Sequence, residues 1–228
     1  MFYYGFDSTW IYLIPALIIS IYAQFKVSST FEKYSHVNSM RGYTGAQVAR
    51  LLLDNAGLYD IPVEMIPGKL SDHYDPSKRV LRLSNDVYES TSVASIGVAA
   101  HEVGHAIQHK EFYKPLMLRN SIVPAVNIGS SFSWILFMIG LLFSIKPLLT
   151  IGIILFSAVV IFQLITLPVE YNASSRALKI LSSREILYKD EVRGAEKVLD
   201  AAALTYVAAT LTAIAQLIRL IALSNRED

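Results

Sequence analysis

Four apolar blocks constrain this chain most, because a run of about twenty apolar residues can cross a hydrocarbon core of ~30 Å as a helix. They are Thr9 to Phe25, Ile122 to Phe143, Pro147 to Leu167 and Ala201 to Leu223. Inside a bilayer the backbone amides must find partners within the protein, which favours helices for such blocks. The expectation is a mainly α integral membrane protein with about four transmembrane helices. Only Ser144, Ile145 and Lys146 separate the second and third blocks, which predicts a tight transmembrane hairpin. The first block follows a leader without Lys or Arg and lacks a small-residue cleavage site, so it reads as an uncleaved anchor. The fourth is Ala-rich and carries Thr205, Thr210, Thr212, Gln216 and Arg219. A spanning helix is favoured over an interfacial one, with Arg219 snorkelling toward the nearby end.

Charge then limits the partners. Twenty Lys and Arg against nineteen Asp and Glu give +1, so nothing points to nucleic acid. With no cysteine, disulfides and thiolate metal sites are excluded, and any bound metal must rest on His, Asp or Glu. The leader has no cation and the hairpin loop only Lys146, whereas Lys26, Lys33, Arg41, Lys110, Lys114, Arg119, Arg176, Lys179, Arg184 and Lys189 flank the other ends of the spans. Residues 26–121 and 168–200 are therefore expected on the cytoplasmic side of the cell membrane. The segments are an anchor (1–25), a polar segment (26–121), the hairpin (122–167), a returning helix (168–200) and a last membrane helix (201–228).

Within the polar segment, Thr44 and Gln47 form a capping-box pattern opening the helix GAQVARLLLDNA, which Gly57 is placed to end. Two strand-like runs follow, Pro62 to Ile66 and Arg79 to Leu83, joined by a Gly, Asp and Pro turn; a small β-hairpin is expected. From Ser92 the run SVASIGVAAHEVGHAIQHKEF has no proline until Pro115 and reads as a helix.

That helix carries His101 and His105 four positions apart, one turn above each other on one face. The spacing lets both imidazoles turn toward one Zn2+ at ~2.1 Å from each nitrogen. Glu102, beside His101, is placed to reach a water there and act as general base for peptide hydrolysis. The rival reading is an ordinary polar stripe. Ala99, Ala100, Gly104 and Ala106 make a thin apolar surface on which two histidines need polar compensation, so the metal reading is preferred.

A zinc hydrolase needs a third protein ligand and an open fourth position. His109 continues the stripe, but eight residues of helix rise ~12 Å, which places it near the site and off the ion. Glu111 would need a sharp turn after His105, and Gln108 stands where such proteases place glycine. Glu170, in LPVEYNASSRALKIL, is the better candidate. Pro168 can open a helix with Glu170 in its first turn, Ala173, Ser174 and Ser175 permit close packing, and the hairpin returns the chain to the side where His105 sits. Glu185, Asp190, Glu191 and Glu196 lie among basic residues and read as a solvated face.

Taken together, TGAQVA, GLYDIPVE, GKLSDHYDPSKRVLRLSNDVY, VAAHEVGHAIQ and LPVEYNASSRAL resemble the bacterial YugP-type neutral zinc metallopeptidases of the membrane, over nearly the whole chain. The resemblance implies a zincin-like, membrane-proximal catalytic domain with a gluzincin-like site: zinc on His101, His105 and Glu170, with Glu102 catalytic. More distantly the two-part pattern is similar to HtpX-type and prenyl-protein membrane proteases, whose second motif has an aspartate four residues after the ligand glutamate. Ser174 stands there in this chain.

The block SDHYDP reads first as a turn. His73 and Tyr74 are kept as accessory candidates that could donate to a developing oxyanion. Arg176 is another, to orient Glu170 or bind a substrate carboxylate. RVLRLS could present an edge strand along which a peptide lies extended. A non-catalytic zinc scaffold would need no Glu102, and a metal transporter would need ligands inside its spans. Two imidazoles and a carboxylate also accept other divalent ions. The expected function is a membrane zinc endopeptidase acting on unfolded or membrane-associated polypeptides.

Overall fold

The computed structural model describes residues 8–225; the leader before Ser8 lies outside the described residues. The chain divides into two compact units. The first comprises Met1–Gln24, Leu118–Leu167 and Thr205–Asp228, and the second Phe25–Met117 and Pro168–Leu204.

After a short 3-10 turn (Ser8–Tyr12), four helices among the described residues are long and apolar enough to cross a membrane: α1 (Ile14–Ser35), α5 (Lys114–Leu142), α6 (Lys146–Ser183) and α7 (Lys189–Ser224). In the first unit Ile18, Ile128 and Ile154 stay exposed, as contact with lipid tails permits. Residues 143–145 join α5 to α6, with Ser144 left-handed at φ 53°. Arg219 donates from Nε to Thr9 Oγ1 at 3.2 Å and lies over the Trp10 ring at 4.3 Å. Its charge thus finds a hydroxyl and a π face.

Pro168 does not open a helix. It lies inside α6, which runs unbroken from Lys146 to Ser183. Proline forfeits one helical hydrogen bond, and the bonds on either side carry the helix through it. Glu170 therefore belongs to the same helix as the third apolar block. Likewise α7 begins at Lys189, well before the fourth block, and passes the expected boundary at residue 200 without interruption.

In the second unit α2 (Gly45–Asn55) starts at a complete capping box, with Thr44 Oγ1 accepting the Gln47 N–H and Gln47 Oε1 accepting the Thr44 N–H. Gly57, at φ +66°, follows its C-cap Ala56. Arg50 pins the next loop by donating to Leu58 O and Ile61 O.

The expected hairpin is replaced by a three-stranded sheet of order β1-β3-β2, formed by β1 (Val63–Ile66), β2 (His73–Asp75) and β3 (Val80–Ser84). The two runs read as a hairpin lie parallel, Val63 opposite Leu81 and Ile66 opposite Ser84. The segment between them supplies β2, antiparallel to β3. Asp75 explains the swap: its Oδ1 accepts the N–H of Ser77 and Lys78, closing a tight turn at Pro76 that seats β2 on one side of β3. Asp72 holds the far end through the Ser84 N–H and hydroxyl. Only the opposite side of β3 remains for β1. Consequently RVLRLS is the central strand, and Arg82 and Ser84 offer no edge to a substrate; the edges are β1 and β2.

The remaining elements are the short helix α3 (Asn85–Tyr88) and α4 (Val93–Lys110), whose N-cap Ser92 accepts the Ser95 N–H. Leu52, Leu53, Leu81, Leu83, Ile96 and Val103 are almost fully buried in one core. Each such side chain stabilises by roughly 1.5–3 kcal/mol on burial, so the core anchors α4 from beneath.

Candidate metal centre

Close helix packing brings the site together. A Cβ at Gly104 would lie 2.7 Å from Ala173 O, so only glycine lets α4 approach the second-unit part of α6 this closely. Gly104 sits between the two histidines, and Ala173 three residues after Glu170. The crossing therefore presents His101, His105 and Glu170 to one point.

Their facing atoms are His101 Nε2 and His105 Nε2, 3.2 Å apart, with Glu170 Oε2 at 3.3 Å from the first and 3.5 Å from the second. Tetrahedral ligands at ~2.1 Å from one ion stand ~3.4 Å apart, so the triangle has the edge lengths a zinc site requires. Glu170 is 3% exposed, and a carboxylate so buried needs a compensating positive charge.

Hydrogen bonding behind the rings fixes which nitrogens face the site. Arg176 Nε donates to Asn172 Oδ1 at 2.7 Å, identifying that atom as the amide oxygen. Gln108 Nε2 donates to the same oxygen and to Val169 O, both at 2.9 Å. Gln108 Oε1 is thus an acceptor, and His105 Nδ1, 3.0 Å away, must carry a proton. A neutral His105 then points a bare Nε2 lone pair at His101 and Glu170. Two imidazole nitrogens and a carboxylate oxygen this close are reconciled only by a shared proton or a cation. His101 Nδ1 lies 3.1 Å from Ser174 Oγ, so its outer nitrogen also has a partner.

Glu102 is buried beside this triangle, 8% exposed, and one carboxylate oxygen accepts the Tyr74 backbone N–H at 2.9 Å. Burial pushes its carboxyl up to about 7, with the Glu170 charge adding and His101 opposing. A carboxyl poised there can exchange a proton near neutral pH.

The other predicted residues fall around the triangle. Tyr74, on edge strand β2, meets Glu102 through its backbone N–H, while its hydroxyl lies 2.9 Å from His109 Nδ1. Burial, helped by the Arg79 charge, lowers the His109 pKa, which leaves Nδ1 able to accept. His73 is exposed, its ring against Ser71 O and Arg82. Arg176 pairs with Glu111 at 2.6 Å, so Glu111 is engaged away from the histidines; Arg176 reaches the site only through Asn172 and Gln108. Sequence reasoning missed Gln108, Asn172 and the partner role of Ser174. A polar residue three places after His105, on the same helical face, was the available signal for Gln108.

A curated relative, "Putative membrane protease YugP" of Bacillus subtilis (strain 168), is 54% identical over 217 residues, covering 94% of this chain and 96% of that protein. No solved structure matches. Residues 9–225 match the family described as "Putative neutral zinc metallopeptidase". The donor triangle and its buried supports thus occur in a chain that belongs to that family.

Proposed function

We propose that this chain is a membrane-bound zinc endopeptidase whose metal rests on His101, His105 and Glu170 and whose general base is Glu102. The observation that carries the reading is the triangle of two imidazole nitrogens and one buried carboxylate oxygen, with edges of 3.2 to 3.5 Å. When bound, zinc supplies a Lewis acid that polarises a peptide carbonyl and acidifies water. Glu102 accepts the proton that attack releases and passes it to the leaving nitrogen. Tyr74, through its backbone N–H, fixes one Glu102 oxygen during that transfer. Gln108 and Ser174 hold the outer nitrogens of His105 and His101 and so aim both rings.

Substrates are unfolded or membrane-associated polypeptides, a reading supported by four span-length helices and by the relative's description as a membrane protease. The cationic flanks favour a cytoplasmic site. A reporter inserted in residues 60–80 should be shielded in intact cells, and its exposure would reverse the orientation.

The mechanism is tested with purified full-length protein, elemental analysis and an unfolded test protein. Wild type should hold one zinc and cleave in a chelator-sensitive manner. Glu102→Gln should keep the zinc and lose ~10²–10⁴-fold in cleavage, while His101→Ala and Glu170→Ala should lose the metal. Full cleavage by Glu102→Gln rejects Glu102 as the base; zinc-loaded wild type that cleaves nothing leaves a scaffold.

A further inference from the structure

The second unit holds a cleft of about 480 Å³ between α1 and α7, within the size range of small-ligand sites (~300–1,000 Å³). Lys26, Thr30, Lys33 and Tyr34 line it from α1, and Lys197 and Asp200 from α7. Positions 26, 30 and 33 share one helical face, as do 197 and 200. Tyr34 sets the two helices side by side: a Cβ at Gly194 would lie 2.9 Å from its ring. Three ammonium groups and one carboxylate therefore face a common space. Among the described residues none of the three lysines has a carboxylate within 4 Å, and Lys33 lies over the Tyr34 ring at 5.6 Å. Each charge is left available to an incoming anion.

The position of the cleft along its helices points to the anion's source. Lys26 is the first charge after the uncharged, mainly apolar stretch Ile14 to Phe25 of α1, and Leu204, which also lines the cleft, leads into the mainly apolar half of α7. Where a helix passes from apolar to cationic, lysine stems lie along hydrocarbon and their heads meet the phosphate layer. We propose that this cleft binds the phosphodiester of an anionic phospholipid, held by Lys26, Lys33 and Lys197 with the Thr30 hydroxyl as a further donor and the acyl side toward Leu204. The proposal does not depend on the peptidase reading.

The test uses the full chain in detergent with phosphatidylglycerol and phosphatidylcholine in equal amounts, and native mass spectrometry to read which lipid is retained. Phosphatidylglycerol should be retained over phosphatidylcholine. Each single Lys→Gln change at 26, 33 or 197 should weaken it about fivefold, and the triple change at least about tenfold. The triple Lys→Arg variant should hold it, and Asp200→Asn should tighten it by removing the carboxylate that lines the cleft. Should the triple Gln variant fail to fold, as judged by thermal unfolding, the single variants carry the test. Lipid that survives millimolar inorganic phosphate identifies the phospholipid as the ligand; lipid displaced by phosphate alone makes free phosphate the occupant of the same site. Equal retention of both lipids, undiminished binding in the folded Gln variants, or weaker binding in Asp200→Asn would overturn the proposal.

Discussion

Replacing Gln108 tests whether the centre depends on a hydrogen-bond relay or only on its three ligands. Gln108 is fully buried and uses both ends of its amide, accepting from His105 Nδ1 and donating to Val169 O and Asn172 Oδ1. Gln108→Ala removes all three hydrogen bonds and strands a buried imidazole N–H. At ~1 kcal/mol for each of the two donated bonds, with ~1–3 kcal/mol for the orphaned imidazole N–H, folding should lose about 3–5 kcal/mol. Zinc affinity should fall ~10–100-fold, the usual consequence of removing the partner behind a histidine ligand. Gln108→Glu separates the two effects. It keeps an acceptor for His105 Nδ1, so zinc is held more tightly than in the Ala variant, but it turns a carboxylate oxygen toward Val169 O and Asn172 Oδ1 and shares the loss of stability. Affinity is read by competition with a chromophoric chelator and stability by thermal unfolding of the metal-free protein. An Ala variant that is destabilised yet binds zinc like wild type would reduce Gln108 to a packing residue and refute the relay.

Gly104→Ala should cost ~1–3 kcal/mol and lower zinc content after dialysis, because the added carbon meets the Ala173 carbonyl and separates Glu170 from the histidines; stoichiometric zinc with an unchanged Tm would contradict this. Burial raises the Glu102 pKa from 4.5 to about 7, so the folded chain holds that proton more tightly than the unfolded chain. The resulting stability is complete below the lower value and lost as pH rises through the upper one, so metal-free wild type should lose Tm between about pH 5 and pH 8 more steeply than Glu102→Gln. Parallel pH profiles would show that Glu102 does not carry the effect. Asp72→Ala removes the acceptor for the fully buried Ser84 N–H and should cost ~1–3 kcal/mol with zinc affinity unchanged, which unfolding and chelator competition measure together.

What the sequence reveals here follows from the range of each signal. The apolar blocks, the Thr44 capping box, the helix begun at Ser92 and the pairing of His101 with His105 are local: each depends on composition or spacing within one or two helical turns, and each has its counterpart in the structure. Glu170 came within reach because a hairpin of known length returns the chain and small residues mark a close approach. The sheet differs from the expected hairpin because two strand-like runs with turn residues between them satisfy a hairpin pattern equally well. What decides is which backbone N–H each carboxylate accepts: Asp75 takes those of Ser77 and Lys78 to close a turn, and Asp72 takes that of Ser84, twelve positions on. Pro168 misled for the opposite reason: a local rule for starting helices was outweighed by helix on both sides of it. Gln108 was visible as a residue but not as a partner, since its role depends on Asn172 and Val169, more than sixty positions later.

Chemistry and packing are inseparable at this crossing. Along α4 the positions 101, 104, 105 and 108 fall on one helical face and supply in turn a nitrogen, a gap, a nitrogen and the amide that orients the second ring. The facing stretch of α6 answers with the Glu170 carboxylate, the Ala173 carbonyl that fills the gap, and the Ser174 hydroxyl behind His101. One helical turn is 5.4 Å, longer than every edge of the donor triangle, so sliding either helix by a turn would remove Glu170 from the site. A hydrophobic interface alone would tolerate that slip. What fixes the register is the fit of Gly104 on Ala173 together with the Gln108 amide, whose two acceptors lie on α6 and whose own acceptor atom holds a ring on α4. The small residues at the crossing thus set ligand distances, and substitutions that a core would absorb should be felt here first as loss of metal.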